Sequence, residues 1–275
     1  PVGLTNAHHE PLNFFTVYRP EGENTIFPCT WHQTGISLWG KIKKWKYELQ
    51  LLPGLDAMNF TREGWIHNGA NSAFEFAVAN RYAVAARIDN YSITGLRMGI
   101  SAYYGQSFDN TYNRDANSDI TKKKGAVTIG TFDFTYNAHN WIVRGNFDYG
   151  HLDDAIYVSS LPGRATRISP YSQDLVGKAA VASDIEAGWD LFSQIKKMRE
   201  DKQKLYLFGH YEYYDYYIPA NNTVTDYPES NINRIAVGFN YYPVPQIVIK
   251  GEYSRRFLKS QYNDEPSVSL GIAYE

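Results

Sequence analysis

The stretch Ser267-Val268-Ser269-Leu270-Gly271-Ile272-Ala273-Tyr274 alternates small side chains with large apolar ones. The run before it, residues 247–258, carries apolar side chains at most odd positions and Lys250, Glu252 and Arg256 at even positions. Successive side chains of a β-strand point to opposite faces of the sheet. This period of two therefore predicts strands that have one apolar face and one polar face.

The same alternation recurs along the chain and predicts eleven strands. They cover residues 34–42, 45–52, 80–92, 96–106, 125–137, 141–151, 182–193, 204–217, 231–242, 247–258 and 267–275. Residues 1–4 would be the end of a twelfth strand. Most runs last about 9–12 residues, which exceeds the ~5–6 residues of a mean soluble strand. They match the ~9–11 residues of a tilted strand that crosses a membrane.

The predicted connections alternate strictly between long and short. Short ones are residues 41–44, 94–95, 137–140, 193–203 and 243–246, and long ones are 5–34, 53–80, 107–125, 152–182, 218–230 and 259–266. A soluble sandwich gives no reason to place all long loops at one end, whereas outer-membrane barrels have short periplasmic turns and long extracellular loops. We predict an all-β fold, a transmembrane antiparallel β-barrel that forms a single domain over residues 1–275. Because bacterial barrels usually have an even strand count, we expect this domain to be N-terminally incomplete.

Composition supports strands at a membrane. Aromatic residues make up 16% of the chain, yet the formal net charge is −2 and charged residues are 20%. No window approaches the ~20 apolar residues of a spanning helix, and the charge gives no reason to expect nucleic acid as a partner. The aromatic residues fall near the two ends of the apolar strand faces, as two headgroup layers require. Cross-strand aromatic pairs in a soluble sheet are the alternative explanation.

The polar face of the strands should line the interior. It carries eight basic residues, nine acidic residues and one histidine by our reading of the alternation. The predicted pore-lining residues are Lys46, Glu48, Arg81, Arg87, Asp89, Arg97, Asp133, Arg144, Asp148, Asp184, Glu186, Asp190, His210, Glu212, Arg234, Lys250, Glu252 and Arg256. Charges of both signs favour a hydrated, salt-bridged wall, and such a wall is compatible with selective permeation.

The connection 5–34 is unusual because a long loop seldom carries so many aromatic side chains. Our hypothesis is that it folds into the barrel and narrows the pore as a constriction loop. The residues proposed for it are Phe14, Phe15, Tyr18, Arg19 and Trp31. The alternative is that this loop packs outward on a neighbouring subunit or loop.

Other candidate sites are weaker. The adjacent residues His8-His9-Glu10 point in alternate directions on an extended chain and chelate a metal poorly. Residues 113–119 have oxygen ligands at the odd positions of a calcium loop but lack its glycine and its final glutamate. No catalytic serine elbow, phosphate loop or zinc motif is present, and Cys29 is the single cysteine. We expect no metal, no cofactor and no enzymatic activity.

Residues 193–203 favour a short helix or an extended turn.

Three parts of the chain carry a family resemblance. They are the opening Pro1-Val2-Gly3-Leu4-Thr5-Asn6, the pair Tyr18-Arg19-Pro20 and Trp31-His32-Gln33-Thr34-Gly35, and the ending from Asn240-Tyr241-Tyr242-Pro243 to Tyr274. They resemble outer-membrane porins of the Bacteroidetes and are more distantly similar to the phosphate-selective porin O and P family. The resemblance implies a barrel of about 16 strands, of which about 12 are visible here, often assembled as a trimer. The lysine-rich constriction of the phosphate-selective members has no counterpart in the mixed polar face.

The expected function is a porin-like channel in the cell outer membrane of a Gram-negative bacterium, through which small hydrophilic solutes or ions diffuse passively. Expected partners are the lipid bilayer with its lipopolysaccharide, the small solutes, and further copies in a homotrimer or an outer-membrane complex. One alternative is a structural or plugged barrel within a larger outer-membrane assembly. Another is an outer-membrane enzyme, for which His151 beside Tyr149 is the only hint. An aromatic-belt residue at the rim is the preferred explanation of this histidine.

Overall fold

The computed structural model describes residues 2–8, 10–28, 30–71, 79–108, 110, 123–161, 175–222, 224–258 and 264–274. Eleven β-strands dominate it. They are β1 (Ile36–Ile42), β2 (Trp45–Pro53), β3 (Tyr82–Asn90), β4 (Leu96–Gln106), β5 (Ala126–Ala138), β6 (Trp141–Leu152), β7 (Ala179–Asp190), β8 (Lys204–Ile218), β9 (Asn231–Val244), β10 (Ile247–Leu258) and β11 (Asp264–Tyr274). Each predicted strand is confirmed, with ends that differ by no more than about three residues.

The strands form one sheet in sequence order from β1 to β11, and each pairs antiparallel with the next. The turns after β1, β5 and β9 contain two residues each. In the turn after β5, His139 and Asn140 both have positive φ, at 55° and 65°. Two consecutive positive φ angles match the right-handed twist of the flanking strands and so favour a tight hairpin. The all-β antiparallel fold predicted from the alternation is confirmed.

The helices are short. They are α1 (Leu4–Ala7), α2 (Glu21–Ile26), α3 (Ala155–Ser159) and α4 (Lys196–Glu200), together with 3₁₀ turns at Pro11–Asn13, Ala57–Asn59, His67–Ala70, Leu191–Gln194 and Pro228–Ser230. Among the described residues, none of these helices has the length and apolar character needed to cross a membrane. The helix α4 and the preceding 3₁₀ turn confirm the short helical turn predicted between β7 and β8.

The predicted twelfth strand is wrong. Leu4 begins α1, and Val2 and Leu4 are both buried. The backbone N–H of Gly3 bonds to Ser101 Oγ on β4 at 3.2 Å, and the N–H of Leu4 bonds to the Glu23 carboxylate at 2.9 Å. Ser101 and Glu23 thus bond backbone N–H groups that would otherwise pair with a neighbouring strand. Residues 3 and 4 therefore do not extend the sheet.

The two faces of the sheet have inverted exposure compared with a water-soluble protein. On the apolar face Ile88, Ile100 and Phe132 lie directly opposite one another on β3, β4 and β5. Ile100 is 64% exposed, whereas Asp133, on the opposite face, is 0% exposed. An antiparallel sheet that leaves its aliphatic face uncovered and buries its charged face is the wall of a transmembrane barrel.

A hydrophobic cluster fills the interior at the long-loop end of the strands. Leu55, Phe60, Trp65 and Ile66, from the connection between β2 and β3, are fully buried there. They pack with inward-facing apolar residues of the strands, including Tyr103, Val127, Ile129 and Ala182. The Trp65 indole also donates to the carbonyl of Gly177 at 3.0 Å. The interior face of the sheet is therefore apolar at its long-loop end.

Candidate functional site

The strand register brings charges from the whole chain into one row. Directly opposed residues of paired strands share a face, so each pairing extends the row by one side chain. From β2 to β10 the row reads Lys46, Asp89, Gly99, Asp133, Asn146, Asp184, Glu212, Arg234 and Arg256. We call the side of the sheet that carries this row the charged face.

A four-residue ion network joins β3, β4 and β5 on the charged face. Arg87 Nη2 lies 2.9 Å from Asp89 Oδ1 and 2.9 Å from Asp133 Oδ2. Arg97 Nη1 lies 3.0 Å from Asp89 and 2.6 Å from Asp133. All four side chains are at least nine-tenths buried. Two guanidiniums and two carboxylates neutralise one another, so the network connects the strands without leaving a net charge.

A second network runs across β6 to β10. Arg144 lies 2.6 Å from Glu186, and Arg234 forms ion pairs with Glu212 and Glu252. The imidazole of His210 lies between two of these carboxylates, 3.4 Å from Glu212 and 3.8 Å from Glu186. Each acidic residue thus has a cationic or imidazole neighbour, which compensates for its removal from water.

The N-terminal segment, residues 2–8, 10–28 and 30–33, packs against the charged face. Three carboxylates of the second network accept backbone N–H bonds from it. The pairs are Glu186 with Phe15 at 3.0 Å, Glu252 with Val17 at 2.8 Å, and Glu212 with Gly22 at 2.7 Å. Hydrogen bonds to a charged acceptor are roughly twice as strong as neutral ones. The wall therefore binds this segment through backbone groups at three points.

Lys250 holds the same segment by its carbonyl groups. Its Nζ donates to the carbonyl oxygens of Pro11, Phe14 and Thr16 at 2.7, 2.7 and 2.9 Å. All three ammonium protons are thus used. The ammonium also lies 4.2 Å from the centre of the Phe14 ring, within range of a cation–π contact.

Glu23 on α2 organises the beginning of the segment. Its carboxylate accepts the N–H groups of Leu4, Thr5 and Asn6 at 2.9, 3.0 and 3.1 Å, and the Asn146 amide at 3.1 Å. Glu23 is 1% exposed. Burial raises the pKa of its carboxyl above the ordinary value, and the hydrogen bonds from Thr5 and Asn6 offset part of this increase.

Glu21 belongs to the site but was not among the residues predicted from the sequence. Its carboxylate lies 2.6 Å from Arg256 and 3.4 Å from Arg234, and it accepts the Tyr214 hydroxyl at 3.0 Å. From the sequence, Glu21 is only an acidic residue in a loop with several large aromatic side chains. The three-dimensional structure is needed to show that it contacts Arg234 and Arg256.

The proposed constriction-loop residues divide into two groups. Phe14 and Phe15 are buried at the charged face, and the Phe15 ring stacks on Phe208 with centroids 5.5 Å apart. Trp31 is half-buried with its ring 5.0 Å from Tyr103, on β4.

The other two lie farther from the wall. Tyr18 is 67% exposed, and Arg19 donates within the segment to Thr30 Oγ1 at 2.8 Å. The segment as a whole lies on the charged face of the sheet. Whether it narrows a pore stays a prediction.

The structure places the eighteen proposed pore-lining residues very unequally. Thirteen are buried: Arg87, Asp89, Arg97, Asp133, Asp148, Asp184, Glu186, Asp190, His210, Glu212, Arg234, Lys250 and Glu252. Glu48, Arg81, Arg144 and Arg256 are half-buried, and Lys46 is exposed. The expectation of a hydrated wall did not anticipate this burial. The N-terminal segment covers several of these residues, among them Glu186, Glu212 and Glu252.

A cavity of about 550 Å³ remains between the N-terminal segment and the short-turn ends of the strands. His8, Tyr91, Arg97, Arg144 and Asp184 are among the residues that line it. It is large enough to hold many water molecules.

The remaining candidate residues carry no assembled chemistry in the described part of the chain. No group of three or more His, Cys, Asp or Glu side chains is placed there to hold a metal ion. His9 and residues 113–119 lie outside the described residues. His151 pairs with Asp153 at 3.2 Å at the long-loop end of β6.

Comparison with known proteins gives distant likenesses. No family model matches the chain. An uncharacterised protein of Aquifex aeolicus is 24% identical over 267 residues, which cover 96% of this chain and 58% of that protein. The chain thus spans little more than half the length of this curated relative. The resemblance to Bacteroidetes porins and to the O and P family stays a prediction.

Among solved structures, the chain is similar to outer-membrane proteins at low identity. A refined porin structure has a TM-score of 0.49 at 10% identity, with 87% of this chain and 60% of that chain covered. OmpF of Salmonella typhi, in complex with daunomycin, has 0.48 at 10%, covering 86% and 60%. OpdO of Pseudomonas aeruginosa has 0.37 at 11%, covering 87% and 67%. At these values the fold assignment rests on the strand pairing and on the two faces of the sheet.

Proposed function

We propose that the chain forms part of the wall of an outer-membrane channel through which small hydrophilic solutes or ions diffuse passively. The observation that carries this proposal is the exposure of the two faces of the sheet: Ile100 and Phe132 are exposed on the apolar face, and Asp133 is buried on the charged face. A lipid-facing apolar surface and a charged interior are the two requirements of a water-filled transmembrane barrel.

Membrane location, lipopolysaccharide contact and assembly as a homotrimer belong to the same proposal. The exposed apolar face supports lipid contact, because such a surface is unfavourable in water. Fractionation of cells that express the whole protein should place it in the outer membrane, and cross-linking there should give a trimeric band. Recovery in the soluble periplasmic fraction would contradict the proposed location.

The second candidate is a plugged barrel with a structural role. The packing of the N-terminal segment against Glu186, Glu212 and Glu252 favours it, as does the hydrophobic cluster around Phe60 and Trp65. Both features occupy interior space that an open channel would need. The two candidates differ in one measurable property, which is ion conductance.

The deciding experiment is reconstitution of the purified whole protein into planar lipid bilayers. A channel gives discrete conductance steps whose size rises with salt concentration. A plugged barrel gives none, although its insertion is still detectable by protection from protease. A variant that lacks residues 13–28 should conduct more than the parent if this segment narrows a pore, and unchanged conductance would contradict the constriction.

A further inference from the structure

We propose that the short-turn end of the sheet carries a binding site for aromatic carboxylates, in a second cavity of about 530 Å³ beside α4. Binding to this site does not require that the protein conducts ions. The role of the site as a first contact for solutes that enter from this end rests on the proposed channel function.

The cavity lies between the connection from β7 to β8 and the charged face of the strands. This connection, residues 191–203, carries four basic and two acidic residues. Arg199 and Lys202 border the cavity from the connection, and Lys204 borders it from the first position of β8. The strands β6 to β9 each pair with a neighbour on both sides, so the cavity does not lie at an edge of the sheet.

The three cationic side chains have no anionic partner in the described part of the chain. They are exposed, and none of them forms an ion pair or a side-chain hydrogen bond there. Glu200 and Asp201 do not line the cavity. The carboxylate that does, Asp190, is 7% exposed and accepts the N–H groups of Phe192 and Leu205, both at 3.1 Å. Positive charges thus outnumber negative ones around the cavity, which favours an anion.

Aromatic rings supply the apolar part of the lining. Phe192, Tyr206 and Tyr242 border the cavity, and the rings of Tyr206 and Tyr242 meet edge to face with centroids 6.0 Å apart. Lys204 lies directly opposite Tyr242, so a cation and a ring are neighbours on the same face. Small-molecule sites combine such apolar walls with a few polar groups that fix the orientation of the ligand.

This combination of groups indicates the class of ligand. A carboxylate can pair with the cations while an attached ring packs against the aromatic side chains. An inorganic anion would use only the cations, and a neutral aromatic compound would use only the rings. An aromatic carboxylate therefore matches more of the lining than either.

Titration calorimetry of the whole protein in detergent tests the site, with benzoate as the probe. Acetate and inorganic phosphate lack the ring, and benzyl alcohol lacks the charge. Arg199→Gln and Lys202→Gln each remove one charge from the lining, whereas Lys202→Arg keeps it. Lys196→Gln is the matched control, because Lys196 is an exposed cation on the same helix as Arg199 and does not line the cavity.

We expect benzoate to bind at least about tenfold more tightly than each of the three comparison compounds. Arg199→Gln and Lys202→Gln should each raise the Kd for benzoate about three- to tenfold. Lys202→Arg and Lys196→Gln should bind benzoate like the parent. A comparison compound that binds as tightly as benzoate would overturn the inference, and so would an absence of binding or an equal loss in Lys196→Gln. If Lys202→Gln fails to fold, the comparison of Arg199→Gln with Lys196→Gln still decides.

Planar bilayers test the role of the site in a channel. Benzoate on both sides of the bilayer should reduce the current of a conducting parent, and should reduce it less in Lys202→Gln than in Lys196→Gln. An equal reduction in the two variants would contradict a contact with entering solutes. Benzoate binding by a protein that gives no conductance would contradict the proposed channel and support the binding site.

Discussion

Lys250 Nζ donates to the carbonyl oxygen of Phe14 at 2.7 Å, and the same ammonium lies 4.2 Å from the centre of the Phe14 ring. The two residues are 236 positions apart in sequence. This contact joins β10 to the N-terminal segment by charge, hydrogen bonding and the aromatic face at once. It is one example of a strand side chain that binds backbone groups of the N-terminal segment.

Lys250→Met should loosen the N-terminal segment, because three carbonyl oxygens lose a charged donor while the side-chain volume is kept. We expect the free energy of unfolding in urea to fall by about 3 kcal/mol. Protease should also cleave near residues 11–16 sooner than in the parent. Lys204→Met, at an exposed position, is the control. Equal protease resistance in both variants would contradict the role of Lys250.

Asp133→Asn should destabilise the sheet, because Arg87 and Arg97 both remain buried while one carboxylate loses its charge. Breaking a buried pair on one side typically costs about 3–5 kcal/mol. The matched control is Glu265→Gln, because both side chains of the Glu265–Arg256 pair are more than a third exposed. This variant should lower the free energy of unfolding by less than about 1 kcal/mol. Urea unfolding of the two variants in lipid vesicles compares them, and equal losses would contradict the network's role.

Gly150→Ala should displace the hydrophobic cluster at the long-loop end. A Cβ at position 150 would overlap the ring of Trp65, which is fully buried and has little room to move. Overpacking of this kind costs about 1–3 kcal/mol. In Gly130→Ala the added Cβ meets nothing within 4 Å, so that variant should match the parent. Tryptophan fluorescence should shift to longer wavelength in Gly150→Ala only.

Ile100→Arg tests whether the apolar face meets lipid. A charged residue near the bilayer midplane costs about 2–4 kcal/mol in a transmembrane barrel. Gln50→Arg places the same side chain on the charged face, at a half-buried position, and should lower the free energy of unfolding much less. Folding of each variant into vesicles at increasing urea gives the two values. If they are equal, the face around Ile100 is not in contact with lipid.

Glu23 predicts a pH dependence. Its pKa is raised in the folded state, so its contribution to stability is fully present below the unfolded pKa and is lost as pH rises through the folded pKa. Glu23→Gln removes this titration. The free energy of unfolding of the parent should therefore decline relative to Glu23→Gln as pH increases above the ordinary glutamate range. The same difference on both sides of the ordinary glutamate pKa, as far as neutral pH, in urea titrations would contradict this.

The alternation of side chains was sufficient to predict the strands. In β10, apolar Ile249 and Tyr253 and polar Lys250 and Glu252 belong to opposite faces whatever the rest of the chain does. Such a period is a local property, because successive residues of any strand point to opposite sides. The same reasoning failed at residues 2–4. Their pattern is too short to separate a strand end from a segment held by Glu23.

The alternation of side chains also predicted which charged residues share a face, but not which of them are buried. Asp133 and Lys46 belong to the same face by sequence, yet Asp133 is buried and Lys46 is exposed. Asp133 is enclosed by the buried guanidiniums of Arg87 and Arg97, whereas Lys46 lies on β2, next to the edge strand of the described sheet. The contacts of Asp133 join three different strands, and no local period encodes them.

By itself, the sequence determined the strands, their order of long and short connections, and the division into apolar and charged faces. These follow from side-chain chemistry at a spacing of two residues. Only the tertiary structure decided the register that puts Arg87 beside Asp133, the burial of twelve charged wall residues and His210, and the contact of Lys250 with Phe14. Those depend on distances between strands and on the packing of a distant segment, which are fixed by the sum of many long-range contacts.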